Sequence, residues 1–220
     1  NNVRRSTVFN GSPHFIVPNA VNTDQFKKPD KNKKADIRKS LGIPNDKYVV
    51  LVGLKADERI PYNGMEYLWD SLKKYKKVSE YKDKLCIVSF GVETISDGHG
   101  LDIYNLGYIR DQDKLANIYA ASDVYLVSSL EDSFNQTVAE CMASGTSVVA
   151  FDNGGIADII DHKENGYLAR LRNSDDLVEG LKYIENAELK NIREKIVDNF
   201  SFKAVSEKFM KIASAINQEN

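Results

Sequence analysis

Long hydrophobic runs are missing from this 220-residue chain. No apolar stretch approaches the ~20 residues a bilayer span needs, so no transmembrane segment is expected. An excess of charge of either sign is missing too. Lys plus Arg is 30, Asp plus Glu is 32, and the net charge is −2. No global basic field is available to hold nucleic acid or an anionic membrane. Cysteine is scarce: Cys86 and Cys141 both sit in apolar runs. That suits reduced core thiols in a reducing, cytoplasmic compartment rather than a disulfide framework. His14, His99 and His162 lie far apart, without Cys at ligand spacing, so no metal site is expected. There is no Walker A loop, no Gly-x-Gly-x-x-Gly fingerprint and no Gly-x-Ser-x-Gly elbow. No secretory leader pattern is recognised at the start. The opening Asn-Asn-Val-Arg-Arg, without Met, reads as the start of a piece of a longer protein.

What is present is ordinary globular composition, 42% hydrophobic and 28% charged. Disorder, collagen and coiled coil are unlike it. His14–Val17 reads as a short strand before Pro18. Lys27–Lys34 reads as a solvated, charged connection, and Ala35–Leu41 as a short helix stopped by Gly42 and Pro44. An alternation then begins. Tyr48–Gly53, Leu85–Phe90, Tyr104–Gly107, Val124–Val127, Ser147–Phe151 and Gly166–Ala169 are short, apolar, strand-like runs. Between them, Met65–Val78, Lys114–Ala121, Thr137–Ala143 and Ile156–Ile160 carry helical spacing. Three helices close the chain, near Asp175–Glu185, Leu189–Phe200 and Phe202–Ile216. Alternating strands and helices predict an α/β fold: a doubly wound parallel sheet, Rossmann-like, with helices on both faces. Ligands of such sheets sit at the carboxyl ends of the strands, near the topological switch point.

The loops at those ends are therefore the place to look. The fullest is Ser128–Thr137. Asn135 or Ser133 can cap the helix that follows. The free amides near Gln136 and Thr137, with the helix dipole, make a seat for phosphate. A capped helix without a ligand reads the same way. Glu140 sits in the first turns among Val138, Ala139, Cys141, Met142 and Ala143. It shares a face with Gln136. A carboxylate there can accept from two vicinal hydroxyls, or can merely complement the dipole. Gly154-Gly155 permits close backbone approach to a ligand, and equally makes a tight turn. Tyr119, Tyr125 and Phe134 read as core aromatics.

Several segments, in order, resemble family 4 glycosyltransferases: Ile16–Phe26, Asn105-Leu-Gly-Tyr-Ile109, Ala120–Val124, Ala139–Thr146, Ser147–Phe151, Asn153-Gly-Gly-Ile156 and Asn165-Gly-Tyr-Leu168. The match covers about Ile16 to Leu168, the second, donor-binding half of the GT-B fold. The resemblance implies residues 1–30 as strand and linker from an absent N-terminal domain. Residues 31–200 would form the nucleotide-sugar domain, and 201–220 a helix returning toward the absent half. Part of its apolar face, Val205, Phe209, Ile212, Ala213 and Ile216, is expected to be under-covered.

The family's paired acids, Glu-x7-Glu, fall on Asp132 and Glu140. By resemblance Glu140 binds ribose hydroxyls and Asp132 lies near the transferred sugar. Amides around Asn135, Gln136 and Thr137 take the distal phosphate, and Ser133 and Phe134 join the nucleotide-sugar site. Tyr108, Ile109 and Arg110 border the base. The family's Arg after the first strand's Gly53 is replaced here by Leu54, and its Lys by Asn63. Lys55 and Arg59 are the nearest cations, either replacements that stabilise the leaving diphosphate or solvated loop charge. The implied activity is retaining, metal-independent hexosyl transfer from a UDP- or GDP-hexose, a substrate rather than a cofactor. The acceptor is a glycan or a lipid-linked one, reached through the absent domain, in polysaccharide biosynthesis. Peripheral association of the full protein with the inner face of the membrane fits the same picture. A catalytically degenerate nucleotide-sugar-binding module remains open, as does an interaction domain without a nucleotide pocket.

Overall fold

The computed structural model describes residues 15–54, 63–95 and 99–218. Six parallel strands run β1 Tyr48–Gly53, β2 Leu85–Phe90, β3 Ile103–Asn105, β4 Val124–Val127, β5 Ser147–Phe151 and β6 Tyr167–Ala169. Their spatial order is β3-β2-β1-β4-β5-β6. The order reverses between β1 and β4, which is the switch point of a doubly wound sheet. Register is set by alternation. Val49 and Leu51 of β1 enter one core, Val50 and Val52 the other, so a slip by one residue would exchange the two faces.

The helices are α1 Lys31–Ser40, α2 Met65–Val78, α3 Gln112–Ala121, α4 Gln136–Ala143, α5 Ile156–Ile159, α6 Ser174–Asn186, α7 Ile192–Phe200 and α8 Phe202–Gln218. α2 shows why they form where they do. Met65, Leu68, Trp69, Leu72 and Tyr75 recur at three- and four-residue steps and are buried. α2 and α6 cover one face of the sheet; residues of α1, α3, α4, α5 and α7 join the core of the other.

Three sequence expectations change. Phe15–Val17 is exposed coil, and the linker forms a β-bridge to the body further on, at Val21 with Ser201. No described strand offers Phe15–Val17 a ladder to join. The third strand is Ile103–Asn105 rather than Tyr104–Gly107, because Gly107 turns at φ +75°. The solvated connection ends earlier than expected. α1 starts at Lys31, and Lys34 reaches across to Asp123 at 2.8 Å.

Gly154 carries a packing constraint. It lies at φ +45°, and a Cβ there would meet the Asp132 carbonyl oxygen at 1.9 Å. A Cβ on Gly155 would meet the Ser133 oxygen at 2.1 Å. The glycine pair thus lets the loop after β5 lie against the loop after β4. Gly154→Ala is expected to cost about 2–4 kcal/mol, from left-handed strain plus overpacking against backbone. Gly100→Ala, at φ +75° with nothing within 4 Å, should cost only the strain, about 1 kcal/mol. Urea unfolding of both variants checks the difference.

Candidate functional site

At the switch point, the carboxyl ends of β1 and β4 and the start of α4 enclose a cavity of about 270 Å³. Gly53 and Leu54 line it from β1, Asn63 and Met65 from the start of α2, and Ser128 and Ser129 from β4. Asp132, Asn135, Gln136 and Thr137 complete its rim. Phe90, Leu68 and Tyr125 also line it.

The rim is built by short-range hydrogen bonding. One oxygen of Asp132 accepts from the amides of Phe134 at 3.2 Å and Asn135 at 2.6 Å. This folds the loop back on itself. Asn135 then adopts φ +58° and caps α4: its Oδ1 accepts from the Val138 amide at 3.1 Å and the Thr137 hydroxyl at 2.8 Å. The amides of Gln136 and Thr137 find no acceptor among the described residues. They are the first-turn donors that, with the helix dipole, favour an anion. The Thr137 proton goes to Asn135, so the Tyr125 hydroxyl, 3.1 Å away, donates to Thr137.

Glu140 lies one turn further along α4, half-buried and outside the cavity's lining. Burial pushes its carboxyl above the usual range; hydrogen bonding to Gln136 and Tyr119 opposes this. Gln136 therefore serves two partners, because its amide also donates to the linker carbonyl of Ala20 at 3.3 Å. A raised native pKa means the folded state holds its proton more tightly than the unfolded chain. Stability falls as pH rises from the unfolded pKa through the native one, and the deficit persists above it. Glu140→Gln should thus be more stable than the wild type at pH 7. The gap should close as pH falls below the unfolded glutamate range, read as thermal midpoints across pH.

The remaining expected residues divide. Tyr108 and Arg110 are exposed on the loop after β3, with the guanidinium 5.8 Å from the ring centroid. That loop is positioned by Asn105, whose Oδ1 accepts from Ser89 and from the Gly107 amide, and whose Nδ2 donates to Val92 and Glu93. Ile109 is half-buried beside them. Phe134 packs its ring on Phe200, centroids 5.5 Å apart, and only its amide faces Asp132. Ser133 is exposed and faces the linker side. Lys55 and Arg59 lie outside the described residues. No Lys or Arg among the described residues lines the cavity. Groups of three or more potential metal ligands are absent among the described residues.

Met65, Leu68 and Phe90 were legible only as core, yet they form the cavity's apolar floor. Phe90 ends a strand just before Gly91, and the strand-end rule points to it.

The family model for group 1 glycosyl transferases matches residues 46–186, which include every strand and the α4 rim. The chain belongs to the group 1 glycosyltransferases. Its sheet and flanking helices are those of GT-B glycosyltransferase structures. An uncharacterized glycosyltransferase of Methanocaldococcus jannaschii is 29% identical over 203 residues, 82% of this chain and 49% of the relative. The chain thus spans about half the length of that curated relative. Among solved structures, the C-terminal domain of a group 1 glycosyl transferase from Francisella tularensis superposes with TM-score 0.62 at 24% identity. The match covers 86% of this chain and 98% of that one. HepE of Anabaena, in complex with UDP-glucose, superposes with TM-score 0.67 at 18% identity. There the match covers 93% of this group 1 glycosyltransferase and 57% of HepE. Both likenesses concern the fold.

Proposed function

We propose that this chain is the donor-binding half of a retaining glycosyltransferase. It takes a nucleotide-activated hexose, a UDP- or GDP-sugar, and presents it to a glycan or lipid-linked acceptor in polysaccharide biosynthesis. One observation carries the reading: the switch-point cavity opens onto the unpaired first-turn amides of α4, between Asp132 and Gly53. The diphosphate docks on those amides. Asp132 offers the transferred sugar the oxygen not used by the loop, and Glu140 takes the ribose hydroxyls. Tyr108, Ile109 and Arg110 border the base. In this reading no protein nucleophile is assigned for double displacement; the leaving phosphate takes the acceptor's proton on the departing face. Lys55 and Arg59 are assigned to the diphosphate. The nucleotide sugar is a substrate, and the reading uses neither a cofactor nor a metal.

The acceptor comes from an absent N-terminal half. The exposed apolar side chains Phe202, Phe209 and Met210 of α8 support this assignment, as do those of Ile16 and Val17 in the linker. No described helix is long and apolar enough to cross a membrane. Peripheral association of the whole protein with the cytoplasmic face fits a lipid-linked acceptor. Proximity catalysis needs both halves, so the chain alone should not turn over.

A second reading, a catalytically weakened nucleotide-sugar-binding module, is favoured by Leu54 and Asn63, which line the cavity at the positions where the resembling family carries its cations. A departing diphosphate develops charge that a cation would stabilise. Asn63→Lys, which places a cation on the cavity wall, should then raise turnover of the full-length protein steeply.

The test is a thermal-shift panel of UDP, GDP, ADP and their sugars. Binding at ~100 times Kd adds ~2.7 kcal/mol, a rise of roughly 5–10 °C for a chain of this size. No shift with any nucleotide would overturn both readings.

A further inference from the structure

The ring of Tyr119 is wholly buried among Phe26, Phe90 and Tyr125, with centroids 5.9–6.1 Å away. Its hydroxyl is buried too, and makes no hydrogen bond of ordinary geometry among the described residues. A buried hydroxyl without a partner is costly, and a native fold retains one for a reason. Three polar groups influence it: Tyr125, Glu140 and Cys141. The Tyr125 proton is already given to Thr137. The Cys141 thiol, itself wholly buried, is a weak donor and a weak acceptor. Glu140 is the strong acceptor that remains.

We propose that Tyr119 is a positioning residue for Glu140, its hydroxyl serving as the protein-side donor that aims the carboxylate at the vicinal hydroxyls of a bound ribose. The inference rests on the donor-binding reading above.

Lone-pair counting gives it content. An ionised carboxylate accepts at about four sites. In the proposed bound state the Gln136 amide and the Tyr119 hydroxyl take one each, from α4 itself and from α3. Two sites remain, as a cis diol requires. Without ligand the Tyr119 bond is loose. Two ribose hydroxyls drawing on the carboxylate fix its rotamer, and the bond tightens. The ring cannot turn away, because aromatic neighbours pack on it and Thr146 Oγ1 ties its backbone carbonyl at 2.7 Å. The aromatic cluster that reads as core is thus also the mount for one hydroxyl.

The experiment titrates UDP and GDP, and their 2′,3′-dideoxy forms, calorimetrically into four proteins: wild type, Tyr119→Phe, Glu140→Gln and the double variant. Tyr119→Phe removes one oxygen and keeps the ring, so its thermal midpoint should match the wild type. Expected is a loss of about 3- to 10-fold in affinity for the ribonucleotide, the net worth of one hydrogen bond. The loss should be absent for the dideoxy form and absent when Glu140 is already Gln. A purely structural role would weaken both nucleotide forms alike or lower the midpoint by several degrees; either result overturns the proposal. If Glu140→Gln weakens ribonucleotide binding and Tyr119→Phe does not, the positioning role fails while the donor-binding reading stands. If neither variant discriminates ribose from dideoxyribose, the role of Glu140 fails with it. If neither nucleotide binds the wild type, the donor-binding reading itself is overturned, and this inference with it.

Discussion

Arg38→Ala should lower unfolding stability by about 3 kcal/mol, a drop of roughly 6–12 °C in thermal midpoint. The side chain is only 7% exposed and uses its whole fork. Nε donates to Ala121 O at 2.8 Å, one terminal nitrogen to the carbonyls of Asn45 and Lys47, and the other to Asp123 at 2.7 Å. Asp123 in turn accepts from the Val49 amide at 2.7 Å and from Lys34 at 2.8 Å. This network ties α1 to the end of α3 and to the entries of β1 and β4, the two strands that flank the switch point. Removing the guanidinium strips partners from three carbonyls and one carboxylate at once. The cost stays near the lower end for a broken buried pair, because Asp123 keeps Lys34 and Val49. Arg38→Lys should recover only part of it, since an ammonium lacks the planar fork that reaches all four acceptors. Lys33→Ala is the contrast. Its partner Asp30 is 3.9 Å away and both side chains are more than 70% exposed, so the change should be close to neutral. A loss below 1 kcal/mol for Arg38→Ala in urea unfolding would mean that the network is not what holds α1.

Asp132→Ala should reduce sugar transfer by the full-length protein by about 100-fold or more, and weaken nucleotide-sugar binding by this chain. Two effects are merged in that number. The loop of the α4 rim depends on Asp132, whose oxygen gathers the Phe134 and Asn135 amides. Without it those amides lose their acceptor and Asn135 loses the support for its left-handed cap, which displaces the phosphate seat. Misplacing bound groups by an ångström is enough to cost two orders of magnitude. Asp132→Asn separates the effects. The amide oxygen can still accept from both loop amides, so the rim should stand and free-nucleotide affinity should change little. If Asp132 lies beside the transferred sugar as proposed, the lost negative charge should still lower kcat, about 10-fold. Equal losses in both variants would mean that the charge, not the turn, dominates. Equal nucleotide-sugar affinity in Asp132→Ala and wild type would remove Asp132 from the site.

The sequence alone determined the order of elements, because periodicity is a local property. Apolar runs of four to six residues alternate with helical spacing, and Gly closes several of the strands. Those signals located all six strands to within a few residues and predicted a doubly wound parallel sheet. The Ser128–Thr137 loop was legible as a candidate site segment for the same reason, since Asn135 and the amides after it are contiguous, and several of its residues line the switch-point cavity. That Leu54 and Asn63 stand where the family carries two cations came from the resemblance, not from the periodicity of the chain.

Tertiary structure decided what depends on residues distant in sequence meeting in space. The Gly154-Gly155 pair reads equally as a ligand approach or a turn. Only the approach of the Asp132 and Ser133 carbonyls shows that it accommodates backbone. Phe134 reads as a core aromatic and is buried, but only the fold supplies its partner, Phe200, 66 positions away. Tyr119 reads as core and is core, but only the fold shows that its hydroxyl is buried without a hydrogen-bond partner of ordinary geometry among the described residues. Lys34 reads as solvated charge and is held by Asp123, 89 positions along the chain. Spacing along a chain encodes which face a side chain takes. It does not encode which partner waits there, because that is fixed by how the helices dock on the sheet.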